Sequence, residues 1–179
     1  MPPKAVKTVR DLIFWQYAKL IARSAGMEGQ YGFIMKTFKD LQTGRKKWSD
    51  VIREDQKMFE EKECAYCGAR EDLTWDHIIP QKINAPPDCK INEIHNLILC
   101  CRRCNSAKGG RDVFTWYGKE RRNEVPRPVE GKFLKLVYEC HECRGTLDST
   151  DLDLSGELDV MDLGWIFNEP CPPGKGQSD

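Results

Sequence analysis

Nine cysteines occur in this 179-residue chain, and six of them fall in pairs with a two-residue gap: Cys64-Ala-Tyr-Cys67, Cys101-Arg-Arg-Cys104 and Cys140-His-Glu-Cys143. Paired thiolates at that spacing grip a metal ion. In a reducing compartment, where disulfides do not persist, ligation is the leading reason to keep them. The first two pairs are separated by 33 residues. Together they offer four thiolates, enough to close a tetrahedral zinc site that contributes folding free energy without being catalytic. Cys64, Cys67, Cys101 and Cys104 are therefore assigned as structural zinc ligands. Cys100 is a neighbour that could replace Cys101, but only Cys101 preserves the gap. The third pair supplies two thiolates, and a second zinc site would need partners from Cys89, His141 or Cys171.

Between the two zinc-binding pairs lie residues of another kind: Asp76-His77, then His95-Asn96, with Asn105 directly after the last cysteine. The elements that must position them can be read from the pattern. Leu73 to Ile79 is strand-like and closed by Pro80, and Asn96 to Cys100 is a second apolar run. A loop with Asn84, Pro86, Pro87 and Asp88 joins the two. Arg102 to Lys108 is helix-compatible until Gly109-Gly110 stops it. In a strand, neighbours point to opposite faces, so Asp76 and His77 can serve one site only if the strand ends there. By the same alternation His95 points away from Asn96 and is read as structural.

This stretch resembles the HNH nuclease family, in the form whose last motif residue is Asn. The likeness runs through Cys64-Ala-Tyr-Cys67-Gly68, Leu73-Thr-Trp-Asp76-His77-Ile-Ile-Pro80, His95-Asn96-Leu97 and Cys101-Arg-Arg-Cys104-Asn105-Ser-Ala-Lys108-Gly109. The Tyr138 to Leu147 stretch and the helical flank are also similar to a group of prokaryotic members. The resemblance implies an α+β fold with a zinc-stapled, treble-clef-like ββα-metal core, and hydrolysis of DNA phosphodiester bonds with one catalytic divalent metal. It implies His77 as general base, since an imidazole of pKa about 6.5 takes a proton from water at neutral pH. It implies that Asn96 aims the imidazole by accepting its second N–H. Asp76 and Asn105 would bind the ion; hard oxygen donors of this kind suit Mg²⁺ or Mn²⁺. Arg102, Arg103, Lys108 and Arg111 are candidates for contact with flanking phosphates, with duplex DNA as the expected partner.

The rest of the chain is organised around that module. Residues 1–62 read as helical, with Ile13, Tyr17, Leu20 and Ile21, and then Ile34, Phe38 and Leu41, at helical spacing. A third helix is expected from Trp48 to Glu61, with Val51 and Ile52 inward. Phe14, Trp15, Phe33 and Trp48 are read as core, and Arg45-Lys46-Lys47 as a solvated turn. The nuclease-like module occupies 63–122, and 123–179 form a C-terminal extension. There Val125 to Val129 reads as a linker or extended arm, and Lys132 to Tyr138 as a helix or strand.

A formal charge of zero conceals an asymmetry. Residues 1–147 hold 27 Lys/Arg against 20 Asp/Glu, while 148–179 hold one against eight. A basic body suits a polyanion and carries an acidic tail. Within that tail Asp151, Asp153, Ser155, Asp159 and Asp162, with Gly156 at the sixth position, resemble an EF-hand or dockerin-type calcium loop. Leu163, Trp165, Ile166 and Phe167 after it would form the exit helix of such a loop; the alternative is an acidic turn before a packing helix. The composition excludes low-complexity and collagen-like classes. Its apolar runs are too short to cross a bilayer and its first residues lack a signal segment, so a cytoplasmic location without membrane contact is expected. Two further function classes stay open: a zinc module that binds nucleic acid without cutting it, and a protein-interaction domain. Oligomeric state is not legible.

Overall fold

The computed structural model describes residues 2–47, 62–81, 96–150 and 158–167. The expected helix over 48–61, the loop with Asn84 to Asp88, Cys89, His95, Cys171 and most of the acidic loop lie outside them.

Helix α1 (Val9–Ser24) starts where Thr8 caps it, its hydroxyl accepting from the Asp11 N–H at 3.2 Å. Buried residues surround its axis, among them Leu12, Ile13, Tyr17, Ala18 and Leu20, as expected of a helix enclosed by neighbours. Helix α2 (Tyr31–Gln42) packs on it through Ile34, Phe38 and Leu41, with the Trp15 and Phe38 rings edge to face at 5.8 Å. Phe14 and Trp15 are core residues and Phe33 is packed against the core, as their pattern suggested.

Strands β1 (Leu73–His77) and β2 (Leu97–Cys101) form an antiparallel ribbon in which Asp76 pairs with Ile98 and His77 with Leu97. Helix α3 (Arg102–Lys108) follows β2 without a loop and stops at Gly109, whose φ of 59° is a conformation that favours glycine. Helix α4 (Val113–Arg121) is capped by Asp112 and broken at Gly118. A 3₁₀ turn, Arg122–Glu124, leads to helix α5 (Arg127–Cys143), and a second 3₁₀ segment runs from Val160 to Phe167.

One expectation for the extension is corrected and another is narrowed. Val125 to Val129 is neither a linker nor an extended arm, because Val125 and Val129 are fully buried and α5 already begins at Arg127. Pro128 is compatible with the first turn of a helix, since proline needs no N–H partner there and its fixed φ suits a helix start. Lys132 to Tyr138 is the middle of α5, whose Phe133, Leu134, Leu136 and Val137 enter the core. One apolar cluster runs from Val9 through Ile78, Ile79 and Ile98 to Phe167. The ribbon is thus seated on the helical flank and the extension together. Among the described residues, no helix is long and apolar enough to cross a membrane.

Candidate functional site

The Sγ atoms of Cys64, Cys67, Cys101 and Cys104 lie within 4.8 Å of one another, and no other group of three or more potential metal ligands gathers among the described residues. Four sulfurs about 2.3 Å from a common zinc ion would be spaced about 3.8 Å apart. Cys67 and Cys101 are separated by 3.8 Å. The donor set and spacing therefore fit a structural zinc. The first pair turns because Gly68, at φ 73°, lets its N–H reach the Cys64 carbonyl at 2.8 Å. It is tied to the ribbon by the Ala65 N–H donating to the Leu99 carbonyl at 2.9 Å. The second pair straddles the junction of β2 and α3, where Cys101 is the N-cap and its sulfur accepts from the Cys104 N–H.

Burial pushes the Cys64 and Cys104 thiols up, while the exposed Cys67 thiol is drawn down to about 7, chiefly by the Ala69 N–H. Cys100 stands outside the four. It is fully buried, and burial pushes its thiol up to about 12. Strand alternation accounts for the choice of Cys101 over its neighbour.

A cleft of about 570 Å³ lies beside this centre, lined by Asp76, His77, Pro80, Asn105, Lys108 and Arg111 among others. β1 ends at His77, the condition under which adjacent residues can border one site. Asp76 is buried and His77 half-buried. Helix α3 is clamped to β1 by two side chains one turn apart. Asn105 Nδ2 donates to the Trp75 carbonyl at 3.2 Å, and Lys108 Nζ to the His77 carbonyl at 2.6 Å. Carbonyls two residues apart point to the same side of a strand, and side chains three apart lie on the same side of a helix. With Nδ2 committed to Trp75, the Asn105 amide leaves its oxygen as the atom that would meet an ion. That oxygen and the Asp76 carboxylate border one cleft, a hard donor set that fits a divalent ion keeping several waters.

Asn96 departs from its expected role. Its amide bonds Ile79 and not the imidazole: Oδ1 accepts from the Ile79 N–H and Nδ2 donates to the Ile79 carbonyl, each at 2.8 Å. Its own carbonyl accepts from the Ile78 N–H at 2.9 Å. Ile78 and Ile79 are fully buried, and buried backbone groups must find partners. Asn96 supplies them, fixing the chain directly after His77.

Lys108 also differs from expectation. Its side chain is 1% exposed, and Nζ lies 3.2 Å from Asp76 Oδ1, whose side chain is 5% exposed. It is an internal counter-ion, not a surface contact for phosphate. Arg102 and Arg103 are exposed on α3. Arg111 is exposed at the cleft, with its guanidinium donating to the Lys108 and Ala107 carbonyls and so capping the end of α3.

Tyr66 is a site residue that the sequence reading missed. Its hydroxyl donates to Asp76 Oδ2 at 2.7 Å, and burial and the Asp76 charge push the phenol up, so it stays protonated. The signal was present as the aromatic inside Cys64-Ala-Tyr-Cys67.

In the extension, Cys140 is buried, Cys143 is exposed, and the His141 ring nitrogens contact Thr146 Oγ1 at 2.9 Å and the Leu163 carbonyl at 3.4 Å. His141 is thus occupied by packing. Of the acidic-loop residues, Asp151, Asp153 and Ser155 lie outside the described residues. Asp159 accepts from Arg122 at 2.6 Å, and Asp162 caps the Asp159 N–H at 2.8 Å. The residues after them form the 3₁₀ segment Val160–Phe167 with Leu163, Ile166 and Phe167 inward, in place of an exit α-helix.

Residues 64–111 match the family described as HNH endonuclease. No curated protein and no solved structure matches the chain.

Proposed function

We propose that this chain, whose residues 64–111 carry an HNH endonuclease domain, hydrolyses DNA phosphodiester bonds. The observation that supports the reading most is the single cleft bordered by His77, Asp76 and Asn105 within that segment. In this reading His77 takes the proton from the attacking water. Asp76 and Asn105 hold a Mg²⁺ or Mn²⁺ ion, which when bound supplies charge neutralisation at the scissile phosphate and the leaving oxygen. Asn96 keeps the turn after His77 rigid. Arg102, Arg103 and Arg111 meet the phosphates on either side of the scissile one.

The test is supercoiled plasmid incubated with the zinc-loaded protein in Mg²⁺, Mn²⁺ or EDTA, beside His77→Ala. The expected result is nicking or linearisation that requires the ion and is lost in the variant. Full cleavage by His77→Ala would remove the general base from the mechanism. An intact plasmid in every lane, at full zinc occupancy, would replace the nuclease with a module that binds nucleic acid without cutting it.

A further inference from the structure

We propose that Lys108 is a built-in competitor for the divalent ion at Asp76, so that this one lysine sets the metal affinity of the cleft. The inference rests on the nuclease reading above and deepens it.

Both oxygens of Asp76 already accept hydrogen bonds from side chains, Oδ2 from Tyr66 at 2.7 Å and Oδ1 from the Lys108 ammonium at 3.2 Å. The phenol is a neutral donor and leaves the negative charge in place. The ammonium cancels that charge. An octahedral ion such as Mg²⁺ needs its oxygen ligand at about 2.1 Å. An ion at Oδ1 would therefore stand close to Nζ, and two cations at that range repel strongly where water is scarce. The Lys108 and Asp76 side chains are 1% and 5% exposed, so little solvent is available to screen them.

The lysine is also held where it is. Its second bond, 2.6 Å to the His77 carbonyl, anchors Nζ to the strand that carries the acid. Asn105, the other oxygen donor, precedes it by one turn of α3. The helix thus presents a ligand and a competing cation to β1 side by side. Metal entry at Asp76 requires Nζ to withdraw from Oδ1, and each event opposes the other.

The experiment measures Mn²⁺ binding to the full-length, zinc-loaded chain by electron paramagnetic resonance, without DNA, for wild type and for Lys108→Met. Lys108→Met is expected to bind Mn²⁺ about tenfold or more tightly than wild type, and Asp76→Asn to abolish binding in both backgrounds. A purely packing role for Lys108 would not produce a gain. Mn²⁺ affinity in Lys108→Met equal to or weaker than wild type, at full zinc occupancy, overturns the inference alone. Absence of binding in both proteins overturns it together with the metal-dependent nuclease reading.

Should Lys108→Met fail to fold, a Mg²⁺ titration of isotope-labelled wild type decides the matter. The Lys108 Cε and Asp76 Cγ resonances are expected to move with one midpoint. An Asp76 signal that moves while Lys108 stays fixed overturns the inference.

Discussion

Tyr66 Oη donates to Asp76 Oδ2 at 2.7 Å, and Tyr66 stands between two cysteines of the four-sulfur cluster. The candidate metal-binding carboxylate is therefore aimed by a ring that the four-cysteine cluster carries. Trp116 braces that ring edge to face at 5.0 Å. Folding of the cysteine pair and geometry of the cleft are joined through one phenol.

Tyr66→Phe is accordingly expected to keep one zinc per chain while lowering the plasmid-nicking rate. A hydrogen bond to a charged group contributes about 1.5–3 kcal/mol. If that aim is needed in the transition state, the loss is about tenfold or more in rate. Zinc content and nicking are measured on the same preparation, and a wild-type rate from the phenylalanine variant would sever the link between the two sites.

How far this was legible in the sequence depends on whether a residue's partner is local. The two cysteine pairs, the strands around Asp76-His77 and Asn96-Leu97, and the helix ended by Gly109 are set by spacing, alternation and glycine, all readable along the chain. The roles of Asn96, Lys108 and Tyr66 are not legible in this way, because each is defined by an atom far away in sequence: the Ile79 backbone, the Asp76 carboxylate, the same carboxylate from the other side. A lysine among arginines on a short helix looks like a phosphate contact until the strand packed against it is known. Helix α5 was blurred for a different reason, since its prolines mark a turn or a first helical turn equally well.

The choice between adjacent cysteines gives a sharp contrast. Cys101 lies in the four-sulfur cluster, whereas Cys100 is buried outside it. Cys100→Ser is expected to retain one zinc per chain. Cys101→Ser is expected to lose the metal and, with it, cooperative folding of residues 64–104, since a structural zinc contributes binding energy directly to folding. Equal zinc content in the two variants would reassign the ligand.

Asn96→Ala would strip the Ile79 N–H and carbonyl of their partners inside the core. Leaving a buried polar group unpaired costs about 1–3 kcal/mol, and here there are two. Urea unfolding should show a loss of about 2–6 kcal/mol. Because Asn96 touches the backbone and not the imidazole, any cleavage left in the variant is expected to keep the wild-type pH profile. A profile displaced in the variant would restore the direct role in aiming His77.

Two buried groups outside the cleft should make stability depend on pH in opposite senses. Burial raises Glu130 from the usual carboxylate value of 4.5 to about 7, against the pull of Arg23, whose guanidinium lies 3.2 Å away, and of Lys19. The folded state therefore holds a proton that the unfolded state releases between about 4.5 and 7. This contribution is present below that window and is lost as pH rises through it. Burial lowers His141 from 6.5 to about 4, so here the unfolded state takes up the proton first. Its contribution is present above about 6.5 and lost as pH falls toward 4. Each slope is at most about 1.4 kcal/mol per pH unit, and in wild type they offset over most of a shared window. Denaturant midpoints are compared with wild type at each pH, which cancels the acid sensitivity of the zinc site common to all three proteins. Relative to wild type, Glu130→Gln should gain stability as pH rises from 4.5 to 7, and His141→Gln should lose it between 4 and 6.5. Slopes of the same sign in the two variants would mean that burial does not control these groups.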